Sequence, residues 1–169
     1  MRRFVTLALA ALLLAAGSPL HAVEGPETGL PMPRFVSLKS STANLRSGPG
    51  RDYPIRWVYQ RRLLPVEIHD EHGHWRAVRD PWGETGWLHK SLLSGRRTAM
   101  VQRDLEPLLR EPRPGSDVLL YAERRVIGTL EVCENGWCRL SIDGRAGWMP
   151  AEALFGADRP AAKGGETKP

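Results

Sequence analysis

"GHWRAVRDPWGETGWLHKSLLSG", Gly73 to Gly95, can be laid over "NGWCRLSIDGRAGWMPAEALFG", Asn135 to Gly156, within one 169-residue chain. Trp75 matches Trp137, Trp87 matches Trp148, Leu93 matches Leu154 and Gly95 matches Gly156, at offsets of 61 to 62. Self-similarity at a fixed spacing marks a repeated structural unit. Upstream, "NLRSGPGRDYP" lies over "LLREPRPGSDV" at an offset of 64, pairing Leu45-Arg46 with Leu109-Arg110 and setting Leu108 in the place of Asn44. The repeat divides the chain into units 36–95 and 104–156, joined by a linker at 96–103. A unit of about 60 residues hides only about 60% of its chain surface. The two units are therefore expected to lean on each other.

Within each unit the apolar runs are short. "VEI", "RAVR", "LEVC" and "CRLSI" are separated by Gly, Pro, Asn and Asp, and no window carries a helical period. That is the signature of an all-β protein with short strands. Asn135-Gly136 and Asp143-Gly144 are hairpin turns, because both central residues of such a turn need positive φ. The counterparts in the first unit are Gly73 in "EHGH" and Asp80 to Gly83 in "DPWG". Each unit reads as a long loop, then a three-stranded meander, then a short terminal strand or turn, and five short antiparallel strands of this kind close into a small barrel.

The same residues resemble a known family. "ANLRSGPGRDYPIRWVY", "PVEIHDEHGHWRAVRD" and "GWLHKSLL" look like a bacterial SH3-like domain, and 104–156 looks like a degenerate second copy with "EPRPG" in place of "SGPG". The resemblance implies two tandem SH3-like barrels. For some relatives it implies recognition of peptidoglycan or its peptides, often beside a hydrolase domain, which is not evident here.

The two ends stand apart from the barrels. "MRRFVTLALAALLLAAGSPLHA" has a basic start, an apolar middle, helix breakers and a small residue at Ala22, the layout of a cleaved secretory signal at residues 1–22. The alternative, an uncleaved anchor, has an apolar run short of the about 20 residues a spanning helix needs. Removal takes Arg2 and Arg3 and no acid, so the formal charge falls from +5 to +3. Residues 23–35 read as an exposed, proline-rich leader and 157–169 as a disordered polar tail. The expected location is the periplasm or the exterior, with no stable membrane insertion after cleavage. Basic and acidic residues alternate rather than cluster, which speaks against nucleic acid.

Chemistry is sparse. A phosphate loop needs successive free N–H groups at a helix start, whereas "SGPG" contains Pro49 and no helix pattern follows, so it reads as a corner. Cys133 and Cys138 flank the Asn135-Gly136 turn as a non-hydrogen-bonded pair, close enough for a disulfide. His69, His72 and His74, with Asp70 and Glu71, fall around a hairpin turn and read as a solvated cluster, with no metal and no cofactor assigned. No nucleophile–base or paired-carboxylate spacing points to an enzyme.

Six tryptophans are more informative. If Val78, Leu140 and Ile142 face the core, alternation puts Arg76 and Cys138 inward or at the barrel edge and Trp75 and Trp137 on the opposite face. An outward Trp is either covered by a neighbour or used for binding. Tyr53, Trp57 and Trp82 lie beside the long loop, so Tyr53, Trp57, Trp75, Trp82 and Trp137 are the candidate ligand-binding residues, with the first unit favoured. Trp87 and Trp148, each after a Gly, are core candidates. The function expected is a non-enzymatic module binding peptidoglycan. The alternatives are a protein–protein adaptor for an envelope protein and a structural subunit of an envelope assembly.

Overall fold

The computed structural model describes residues 23–157. Residues 1–22, read as a secretory signal, and residues 158–169 of the stretch read as a polar tail lie outside the described residues. Two seven-stranded sheets follow one another. The first orders β3 (Arg34–Leu38), β4 (Ala43–Arg46), β5 (Ile55–Tyr59), β6 (Pro65–His72), β7 (Trp75–Arg79), β8 (Thr85–His89) and β9 (Leu93–Ser94) as β5-β4-β8-β7-β6-β3-β9. The second comprises β10 (Thr98–Val101), β11 (Glu106–Leu109), β12 (Val118–Ala122), β13 (Ile127–Glu134), β14 (Trp137–Ile142), β15 (Arg145–Pro150) and β16 (Leu154–Phe155). Its order is β12-β11-β15-β14-β13-β10-β16, element for element the same as the first. A 3₁₀ turn precedes each last strand, at Lys90–Leu92 and Ala151–Ala153. Two tandem all-β barrels are therefore present, with seven short strands each where the sequence pattern marked five.

The strands hidden from the sequence pattern lie in two places. The long loop of each unit is itself a hairpin, β4–β5 and β11–β12. The other addition is β10, inside the stretch read as a linker. "TAMV" has no polar alternation to reveal it, because both of its faces are covered. Ala99 and Val101 enter the core of the second barrel, while Met100 enters the core of the first. Thr98 points the same way as Met100, its hydroxyl donating to the Leu63 carbonyl at 2.8 Å. All four residues are buried.

Register corrects the upstream alignment by one residue. Arg46 pairs with Trp87, and Leu109 pairs with Trp148. Leu45 thus corresponds to Leu108, both fully buried, and Pro107 rather than Leu108 stands in the place of Asn44. The reason is close packing at the Gly-Trp pairs. A Cβ on Gly86 would sit 2.7 Å from the Leu45 Cγ, and one on Gly147 would sit 2.7 Å from the Leu108 Cγ. The glycine faces inward there, so alternation turns the following tryptophan outward. Trp87 and Trp148 are accordingly half-buried on the outer face rather than in the core, and Leu88 and Met149 fill the core positions.

Residues 23–33 are not loose. β1 (Val23–Glu24) pairs with β2 (Pro31–Met32), and Met32 is buried in the first core. The hairpin is tied down by Glu71, whose side chain is fully buried. Its carboxylate accepts from the Thr28 hydroxyl at 2.9 Å, the Glu27 and Thr28 amides at 3.0 Å and Arg34 Nη2 at 2.5 Å, with Arg76 Nε at 3.3 Å. Burial alone would raise this carboxyl's pKa, but those donors outweigh it and hold it below the usual carboxylate range. Glu71 is therefore a buried anchor and not part of a solvated turn. A bulge between Ile68 and Asp70 shifts the strand's parity, which conceals this from simple alternation.

Candidate functional site

Each barrel presents a tryptophan at the start of its third hairpin strand, held from the opposite strand. Trp75 pairs with His89, the rings meeting edge-on at 5.3 Å, and Trp137 pairs with Pro150. The following 3₁₀ turn is stapled to the neighbouring hairpin in the same way twice. The Lys90 amide donates to the His74 carbonyl at 2.8 Å, and the Ala151 amide donates to the Gly136 carbonyl at 2.9 Å. Both tryptophans are half-buried, with Arg76 and Cys138 buried beside them, as alternation requires.

On the second barrel this surface opens into a groove of about 1120 Å³. Its floor and walls include Trp137, Tyr121, Pro107 and Pro150, with Glu106 and Glu152 as acidic groups and Phe35 and Arg79 reaching in from the first barrel. On the first barrel the corresponding loop is drawn down. Arg46 Nη1 donates to the carbonyls of Arg51 and Tyr53 at 2.8 and 2.7 Å. The Tyr53 ring then lies on the loop backbone: a Cβ on Gly48 would sit 2.3 Å from its Cδ1. "SGPG" is a corner capped by an aromatic ring. His89 stands at the same end of this barrel. Burial first, then the nearby His74 and Arg51, lower its pKa from the usual imidazole range.

The turn that carries Trp82 is built on Asp80, which is buried. Asp80 Oδ1 accepts from the amides of Trp82 and Glu84, each at 2.9 Å, and Oδ2 accepts from the Tyr59 hydroxyl at 3.0 Å. Burial, then the Asp80 charge, pushes the Tyr59 phenol well above its ordinary pKa. The second barrel replaces this turn with Asp143-Gly144 alone and places Ala122 at the Tyr59 position.

The five candidate aromatics therefore separate. Trp137 lines the groove. Tyr53, Trp57 and Trp82 are exposed, at 47%, 56% and 50%, on the first barrel, and Trp75 is half-covered by His89. Among the described residues no ring contact joins Tyr53, Trp57 or Trp82 to Trp75. Trp57 instead sits with exposed Ile55 and Val58 on β5, the free edge of its sheet. His69, His72 and His74 are exposed, and no group of three or more metal-ligating side chains occurs among the described residues. Cys133 and Cys138 form a disulfide across the turn, with Cα atoms 4.1 Å apart. Sequence reasoning missed Tyr121, Phe35 and Arg79; Phe35 and Arg79 reach the groove only through the docking of the two barrels.

The model of the bacterial SH3 domain family matches residues 39–95 and again 102–156, the same two bodies. The chain belongs to that family. Both SH3 units share one strand order, and the Tyr59–Asp80 hydrogen bond of the first is missing from the second, where Ala122 stands at the Tyr59 position. No curated protein matches the chain. Among solved structures, NlpC2 from Trichomonas vaginalis is 16% identical with a TM-score of 0.34, the match covering 73% of this chain and 48% of that one. NlpC1 from the same organism is 15% identical with a TM-score of 0.35, covering 78% and 48%. The chain thus spans about half the length of these structures.

Proposed function

We propose that this protein is an exported, non-enzymatic binding module of the cell envelope, and that the second SH3 unit takes peptidoglycan or its peptides into the groove around Trp137. The observation that carries the reading is the groove itself. A flat indole, a phenol and three prolines line a concave surface, with Glu106, Glu152 and Arg79 among its polar groups. Apolar walls with a few placed polar groups are the usual make-up of a ligand site. Export is supported by the signal-like start and by the Cys133–Cys138 disulfide, which suits an oxidising compartment. The test is co-sedimentation with purified sacculi in moderate salt, which suppresses generic charge attraction. Wild-type protein is expected in the pellet and Trp137→Ala in the supernatant. Equal pelleting of the two would sink the assignment.

A second reading, an adaptor for an envelope protein, is favoured by one observation. β5 is a free sheet edge bearing exposed Ile55, Trp57 and Val58, and such an edge can take a partner's strand. Under that reading Trp57→Ala, and not Trp137→Ala, abolishes capture of the partner, and sacculi do not pellet the protein.

A further inference from the structure

The groove around Trp137 does not end at the second unit. A further groove of about 770 Å³ lies on the first, lined by Val23, Met32, Pro33, Glu67 and His69, and the two share Phe35 and Arg79. We infer that they form one cleft crossing the seam between the SH3 units, shaped for an extended peptide strand of the wall that carries a carboxylate opposite Arg79. This deepens the cell-wall reading above and rests on it.

Three observations carry the inference. The first is size. Sites for a single small ligand measure about 300–1000 Å³, and the groove on the second unit alone exceeds that range before the other is added. The second is that the seam is preformed. Phe35 is fixed edge-on against Phe155 at 5.2 Å with the Arg97 guanidinium 6.0 Å from its ring centre, and Met100 from the second unit is seated in the first core. A ligand lying across the seam meets a surface that needs no ordering on binding, which removes a principal cost of association.

The third is the charge at the crossing. Arg79 is half-exposed, and its Nε and Nη2 both go to Glu67 Oε2, at 3.0 and 2.5 Å. Among the described residues Nη1 has no partner, so one guanidinium N–H edge remains for a carboxylate. The carboxylates lining the grooves, Glu67, Glu106 and Glu152, disfavour a polyanion. In wall material the ionised groups sit on the peptide rather than on the sugars, so a peptide strand that sets one of its carboxylates at the middle of the cleft fits best.

The experiment compares a synthetic stem tetrapeptide with its cross-linked dimer by titration calorimetry, alongside sacculus co-sedimentation. The dimer is expected to bind at least about tenfold more tightly, the effect of one further charge-assisted contact. Arg79→Gln should weaken the dimer more than the single peptide and so bring the ratio of their affinities down towards one. Trp137→Ala should weaken both. Raising the salt should narrow the wild-type ratio, which gives a readout independent of any variant. Equal affinities for the two peptides, or an unchanged ratio in Arg79→Gln, with sacculus pelleting intact, would overturn the cleft and leave the cell-wall reading standing. Failure of both peptides and of sacculi would overturn both.

Discussion

The Tyr59 hydroxyl donates to Asp80 Oδ2 at 3.0 Å, joining β5 to the turn that carries Trp82. Both partners are buried. Tyr59→Phe removes one of three donors to this carboxylate, and the expected loss is about 1–2 kcal/mol. The pH dependence has a defined sign. An unfolded tyrosine ionises near 10, whereas the folded phenol keeps its proton, so stability falls as pH rises above about 10. Chemical denaturation between pH 9 and 11 should show that limb in the wild type and a flatter one in Tyr59→Phe.

Glu71 gives the opposite limb. Its folded carboxyl titrates below the ordinary value of 4.5, so its contribution is complete above that pH and is lost as pH falls through the folded value. Glu71→Gln leaves Arg34 and Arg76 without their anion in a buried place, and the expected cost is about 3 kcal/mol. Protease cleavage within residues 23–33 should accelerate in the variant at neutral pH. An unchanged cleavage rate would mean that the N-terminal hairpin is held by something else.

The disulfide closes a loop of sequence separation 5. Loop-closure entropy for so short a ring corresponds to about 2 kcal/mol. The double replacement of Cys133 and Cys138 by Ala should therefore lower the denaturation midpoint modestly without changing the circular dichroism spectrum. Alkylation of protein recovered from its native compartment should find no free thiol.

Gly156 has φ of +102°, and a Cβ there would lie 2.4 Å from the Thr98 carbonyl oxygen. Backbone cannot retreat as a side chain can. Gly156→Ala is expected to cost about 2 kcal/mol or more. Because Gly156 also abuts Pro65 of the first unit, both units should melt together in the variant, in one calorimetric transition at lower temperature. Two separated transitions would show that the seam is weaker than its packing implies.

Much of the fold is legible in the residues. Asn135-Gly136 and the Cys133–Cys138 spacing act within one hairpin, where period-two alternation and turn chemistry decide the outcome. The parity of Trp75 and Trp137 follows from Val78 and Leu140 by the same rule. What escapes is whatever depends on a second surface. "TAMV" has no polar face because each face meets a different barrel, and Glu71 lies beyond a bulge that shifts the count. The groove is harder still, since Phe35 and Arg79 lie about 100 and 60 positions from Trp137 and come near it only through docking. Trp87 and Trp148 misled for a local reason: at those sites the glycine, not the indole, is the residue packed against the opposite strand.

Met100 belongs by strand to one barrel and by packing to the other. A chain cut between residues 95 and 98 would leave the first unit with a hole in its core and the second with an apolar side chain in water. The unit that evolution can copy, graft or shuffle as a working piece is therefore the pair. Two copies of one strand order are thereby joined, through a single strand with two dry faces, into one indivisible piece.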